Sequence, residues 1–150
     1  MTRAEELAAI EAIRQLKARY FRGVDTKDAA VLRAVFAEGA ETDFRSESPD
    51  RDPALHHNDP DTFVRNTIGM LQGVTTAHAG FMPEIEILSE TEARASWSMT
   101  DHLWVEDGGG SRLPFKTLAG WGVYHDTYVR TEAGWRIAST RLERIKVIFG

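Results

Sequence analysis

The chain has 150 residues and a mass of 16.8 kDa, a size that folds as one domain. Its 18 Lys and Arg against 23 Asp and Glu leave a formal net charge of −5, and with no basic stripe it is poorly suited to non-specific nucleic-acid binding. Hydrophobic residues at 42% and charged residues at 27% fit a globular domain rather than a disordered one. The absence of cysteine excludes disulfides, thiolate nucleophiles, iron–sulfur clusters and cysteine-bound zinc. Chemistry therefore falls to histidine, carboxylate, tyrosine and arginine. No apolar run approaches the roughly 18–20 residues that span a bilayer. The polar start, Met1 to Glu6, lacks the pattern of a secretory signal, so a cytoplasmic location is expected.

In chain order, Thr2 and Glu5 form a capping box ahead of Leu7, Ile10, Ile13, Leu16 and Tyr20, whose spacing predicts a helix stopping near Gly23. A second short helix is expected from Lys27 to Phe36, and a short strand from Glu41 to Phe44. Residues 45–58 are charged and aperiodic, with two prolines and the pair His56–His57, and read as an exposed loop. Asp59 before Pro60 starts a third helix, carried by Phe63, Val64, Ile68 and Leu71 toward Gly73. Four β-rich stretches follow: Thr75 to Leu88, Glu92 to Val105, Phe115 to Arg130 and Trp135 to Ile148. Short turns between them imply an antiparallel meander, and helices followed by a curved sheet imply an α+β cone rather than alternating βαβ units. Gly120 and Gly122 strip side chains from one face of the third stretch, which makes a hollow plausible there.

Taken one by one, the polar candidates are ambiguous. On its own, Asp25 reads first as a cap for the second helix. His78, among small residues near a strand start, reads on its own first as a structural donor or a surface residue. Asp101 shares parity with Trp97, Met99 and Leu103, and a carboxylate on an apolar face is costly unless paired or functional. Arg141 shares parity with Trp135, Ile137 and Ser139 and is expected to point inward, whereas Glu143 and Arg144 read as a solvated ion pair. His102 falls opposite Asp101, and His125 reaches a pocket only if parity is misread. The His56–His57 pair with Asp52, Asp59 and Asp61 is the one His/Asp cluster in the sequence, but adjacent histidines rarely chelate one ion, so no metal site is expected.

Together these residues form a recognisable pattern. The helix ending Arg-Tyr-Phe-x-x-x-Asp25, the short helix ending Val-Phe, the Ala-His78-Ala strand and the closing Gly-Trp-Arg-Ile hairpin resemble the SnoaL-like branch of the NTF2-like (cystatin-like cone) superfamily over nearly the whole chain. That branch includes scytalone dehydratase, hexachlorocyclohexane dehydrochlorinase and bile acid 7α-dehydratase, in which an Asp after the first helix and a strand His form a dyad. Asp25 and His78 match those positions. The spacing most resembles bile acid 7α-dehydratase: Tyr20 lies five residues before Asp25, Asp101 lies 23 after His78, and Arg141 lies 40 beyond that. The stretch between Asp25 and His78 is longer here and includes the charged loop.

The resemblance implies a cofactor-independent lyase that removes water from a hydrophobic cyclic alcohol, steroid-like alcohols among them. His78 would be the general base, Asp25 its orienting partner, and Tyr20 a proton donor. Asp101 would hold a hydroxyl or act as a second acid/base, and Arg141 would neutralise Asp101 or bind an anionic oxygen. Imidazole suits this task because it titrates near about 6.5. No cofactor is implied. An isomerase or dehydrohalogenase would use the same dyad. A non-catalytic cone domain that binds a ligand or partner is the reading outside enzymology. In this superfamily the exposed sheet is usually buried by homo-oligomerisation, as a trimer or dimer, for which Trp104, Trp121 and Tyr128 are candidates, with packing against the chain's own helices as the other reading of all three.

Overall fold

The computed structural model describes residues 1–150. Helix α1 (Arg3–Asp25) opens with the expected capping box, in which the Thr2 hydroxyl accepts from the Glu5 N–H and the Glu5 carboxylate from the Thr2 N–H. It does not stop at Gly23 but continues to Asp25. The short helix α2 (Ala29–Ala34) is capped by Asp28, not by Asp25. That capping choice leaves the Asp25 carboxylate free for the sheet.

Strand β1 (Phe36–Asp43) starts earlier than expected because α2 lasts only six residues. Two single 3₁₀ turns, Arg45–Glu47 and Pro53–Leu55, and a two-residue strand β2 (His56–His57) follow. The segment read as an exposed loop is thus fastened at both ends. β2 pairs antiparallel with β1, and the Ser46 hydroxyl donates to the Leu142 carbonyl at 2.6 Å. Helix α3 (Pro60–Met70) begins at the Asp59 cap.

The meander is built of β3 (Val74–Ile87), β4 (Glu92–Val105), β5 (Thr117–Thr131) and β6 (Gly134–Phe149), close to the expected bounds. The six-stranded sheet has the order β2-β1-β6-β5-β4-β3, antiparallel throughout except for the parallel pair β1–β6. Helices lie on its inner face, and 25 buried hydrophobic residues form one core between the layers, among them Ile13, Leu16, Leu32, Met99 and Ile137. No helix is long and apolar enough to cross a membrane.

Two irregularities in β6 decide what faces inward. Register slips between Thr127 and Tyr128 of β5 leave Ala138 unpaired, and slips between Trp121 and Gly122 leave Ile145 unpaired. Each extra residue reverses the alternation. Trp135 and Ile137 point inward, and past the first bulge so do Thr140, Leu142 and Arg144, leaving Arg141 exposed.

Candidate active site

A cavity of about 290 Å³ lies between the inner face of the sheet and α1 and α3, and 15 of its 22 lining residues are hydrophobic. Segments 44–57 and 113–115 border it as well. Four of its seven polar members form one cluster, His78, Asp101, Arg144 and Glu47, with the Tyr20 and Tyr124 hydroxyls also at its wall. A wider trough of about 760 Å³ crosses the outer face, but only 2 of its 13 lining residues are hydrophobic. Small-molecule sites are typically apolar with a few convergent polar groups, a description the inner cavity meets and the trough does not.

Asp25, the last residue of α1, meets β3 edge-on. Its carboxylate accepts three hydrogen bonds: from the Thr76 hydroxyl at 2.8 Å, the His78 backbone N–H at 2.9 Å and His78 Nδ1 at 2.6 Å. Burial works to raise the Asp25 pKa, but the bonds from the His78 ring and backbone and from Thr76 outweigh it and hold the carboxyl below its usual range. An ionised Asp25 obliges Nδ1 to carry the imidazole proton, so the lone pair of neutral His78 resides on Nε2. Nε2 makes no hydrogen bond; its nearest charged neighbour is Asp101 Oδ2 at 3.8 Å. Phe21 stacks on the other side of the ring, 6.1 Å between centroids and 18° from parallel. Gly80 permits this, because a Cβ there would run into the Phe21 ring.

Asp101 is His78's cross-strand partner on β4 and is buried. It is neutralised by Arg144, whose Nη1 and Nη2 donate to its two oxygens at 2.7 and 2.9 Å. Gly120, opposite Asp101 on β5, makes the room: a Cβ at that position would collide with both the Asp101 carboxylate and the Arg144 guanidinium. Arg144 also donates to Glu47 Oε1 from Nε at 3.1 Å and Nη2 at 2.8 Å. Burial alone would lower the Arg144 pKa, but these two carboxylates raise it. Burial raises the Glu47 pKa, with Arg144 opposing and Asp101 reinforcing the shift.

Tyr20 and Tyr124 place their hydroxyls 3.4 Å apart at the cavity wall, and burial pushes both phenols up, so they stay protonated donors. Behind them Lys17 is almost wholly buried. Its Nζ is 2.8 Å from Asp126 and 3.7 Å from the centre of the Tyr124 ring.

Of the residues expected from sequence, Tyr20, His78 and Asp101 line this cavity, and Asp25 stands behind His78, bonded to its ring. Arg141 does not. Its side chain is 49% exposed on the outer face, 3.6 Å from Glu143, because the Ala138 bulge inverts the parity assumed for it. Arg144, read as half of a solvated pair, takes the inward place. Tyr128 is a second correction: it is buried, donating to Asp126 and accepting from Trp97, and is no part of an outer face. His102 stacks on Trp104, and His125 pairs with Glu143, both away from the cavity. Sequence reasoning missed Arg144, Glu47, Thr76 and Tyr124. Tyr124 had a signal, the parity it shares with Gly120 and Gly122, while Glu47 in an aperiodic segment had none.

The SnoaL-like domain profile matches residues 5–141. Among solved structures the chain is similar to a candidate scytalone dehydratase from Novosphingobium aromaticivorans DSM 12444, at 19% identity and a TM-score of 0.80, covering 98% of this chain and 91% of that one. It is also similar to a type 2 hexachlorocyclohexane dehydrochlorinase (16% identity, TM-score 0.81, covering 99% and 93%). A third is the LinA-type3 dehydrochlorinase of Novosphingobium barchaimii LL02 (16% identity, TM-score 0.77, covering 99% and 94%). At these identities the likeness establishes the fold.

Proposed function

The chain belongs to the SnoaL-like domain family, and on that premise we propose that it is a cofactor-independent lyase that dehydrates a hydrophobic cyclic alcohol by Asp25–His78 general-base catalysis. One observation carries the reading: Asp25 occupies His78 Nδ1 at 2.6 Å, while Nε2 is unbonded in a residue that lines the apolar cavity. Nε2 takes a proton from carbon next to an electron-withdrawing group. Asp25 stabilises the imidazolium that forms, and the hydroxyls of Tyr20 and Tyr124 donate to the substrate oxygen on which charge collects. A volume of about 290 Å³ is at the lower end for ligand pockets and favours a compound of one or two rings.

The proposed similarity in spacing to bile acid 7α-dehydratase keeps Tyr20, Asp25, His78 and Asp101 but loses its arginine, since Arg141 lies on the outer face and the inward Arg144 stands 43 rather than 40 residues beyond Asp101. An isomerase or dehydrohalogenase reading draws on the Asp101 carboxylate 3.8 Å from Nε2, where a proton could be handed on and returned. The outer face of β3–β5, with Phe81 and Trp104 each 42% exposed, supports a homo-oligomer that buries it.

The test is dehydration of one- and two-ring β-hydroxy ketones by the wild-type protein and His78→Ala. Water loss that falls about 10²–10⁴-fold in the variant supports the lyase. Equal rates in the two proteins reject it.

A further inference from the structure

We propose that Glu47, on the turn after β1, is the catalytic acid that protonates the departing hydroxyl, opposite in role to His78; the assignment rests on the dehydration reading above. One guanidinium serves two carboxylates here. Asp101 holds Arg144 through both oxygens, at 2.7 and 2.9 Å, and is 4% exposed. Glu47 receives Arg144 through Oε1 alone, and its side chain is 31% exposed. Its second oxygen, Oε2, has no hydrogen-bond partner, and the residue borders the cavity. A cluster with two carboxylates and one cation carries an excess negative charge, which favours proton binding there over an isolated carboxylate. The singly held, cavity-side carboxyl is where a bound proton resides at least cost.

The groups facing Glu47 are Arg144 from β6, Asp101 from β4 and His78 from β3, with Tyr20 of α1, Tyr124 of β5 and His57 of β2 around the same cavity. Burial and Asp101 raise its pKa, while Arg144 and His78 oppose the shift without cancelling it.

The step balances as follows. His78 Nε2 takes the proton from the carbon, and the C–H electron pair becomes the new C=C bond. The C–O bond breaks, and the hydroxyl leaves as water with the proton from Glu47 Oε2. The site is left with imidazolium and an ionised Glu47. Return of the imidazolium proton to Glu47 through water resets it. Tyr20 and Tyr124 hold the carbonyl end of the substrate meanwhile.

Two arms test this on the full chain. In the first, the side-chain carboxyl of Glu47, assigned by comparison with Glu47→Gln, is titrated by ¹³C NMR. The expected midpoint lies above the ordinary 4.5 in wild type and falls in Asp101→Asn, where Glu47 keeps Arg144 to itself. A wild-type midpoint at or below 4.5 overturns the assignment, whatever the substrate. In the second, 3-hydroxycyclohexanone in D₂O reports two steps, deuterium entering C2 and water loss giving cyclohexenone. Glu47→Gln, which keeps an oxygen for Arg144, is expected to slow water loss about 10²-fold while C2 exchange persists, with partial recovery in Glu47→Asp. His78→Ala loses both. Equal effects of Glu47→Gln on both steps, or none on water loss, overturn the assignment. A wild type that leaves this ketol untouched counts against the dehydration reading, and the titration still decides for or against Glu47.

Discussion

Lys17–Asp126 and Arg144–Asp101 are both cation–carboxylate pairs on the inner side of the sheet, with N···O distances of 2.8 and 2.7 Å. They differ in what surrounds them. Asp126 also accepts from the Tyr128 and Thr140 hydroxyls, and Lys17 is enclosed by the rings of Tyr20, Phe21 and Tyr124. Neither residue borders the cavity, and every charge there is matched. In the second pair the guanidinium is shared with Glu47, and His78 Nε2 stands 3.8 Å from Asp101 without a bond. The same two residue classes thus build a closed network that holds α1 to the sheet and an open one with atoms left over for a substrate. Burial does not separate structure from function here; unspent hydrogen-bonding capacity does.

The largest effect should come from breaking the closed pair. Lys17→Met strands the buried Asp126 carboxylate and is expected to cost about 3–5 kcal/mol in denaturant unfolding, with Lys17→Met/Asp126→Asn recovering part of it. A loss under about 1 kcal/mol would mean the pair is not sealed. Arg144→Met should cost less, about 2 kcal/mol, because water from the cavity reaches Asp101, and Asp101→Asn should restore part of that loss. Gly120→Ala drives a methyl into the same pair and should cost about 1–3 kcal/mol, read by the same unfolding measurement. Arg141→Met, on the outer face, should stay within about 0.5 kcal/mol. Reversed sensitivities of Arg141 and Arg144 would undo the parity assignment.

A separate effect concerns acid. Asp25 is held below its usual range against the pull of burial by His78 and Thr76, and Asp43 is held down to about 2, chiefly by hydrogen bonds from Arg45. Both have folded pKa values below the unfolded 3.8. Their stabilisation is therefore complete above that value and is lost as pH falls through the folded pKa. Melting temperature should fall from pH 5 toward pH 2, and Asp43→Asn should flatten part of that slope.

Much of the frame was legible in the chain: the Thr2–Glu5 box, the Asp59–Pro60 start and the four long strands are local signals that tertiary packing left in force. Lys17 and Asp126 went unread, although Lys17 is one turn from Ile13 on α1 and Asp126 shares parity with Tyr124 and Tyr128. Arg144 was not legible. Alternation carries a reading along a strand only until a residue is inserted, and whether Ala138 or Ile145 pairs is decided by β5 rather than by β6 alone. Glu47 escaped for a different reason. Its place is set by Arg144 and by the Ser46 bond to Leu142, contacts about a hundred residues away that no local pattern encodes.

The central claim is that Asp25 fixes His78 with its lone pair on Nε2, and ¹⁵N NMR of the histidine ring tests it without any substrate. Neutral His78 should carry its proton on Nδ1 in wild type, and Asp25→Asn should abolish that preference. A dominant Nε2–H form in the wild-type protein, or a tautomer indifferent to Asp25→Asn, would contradict the account.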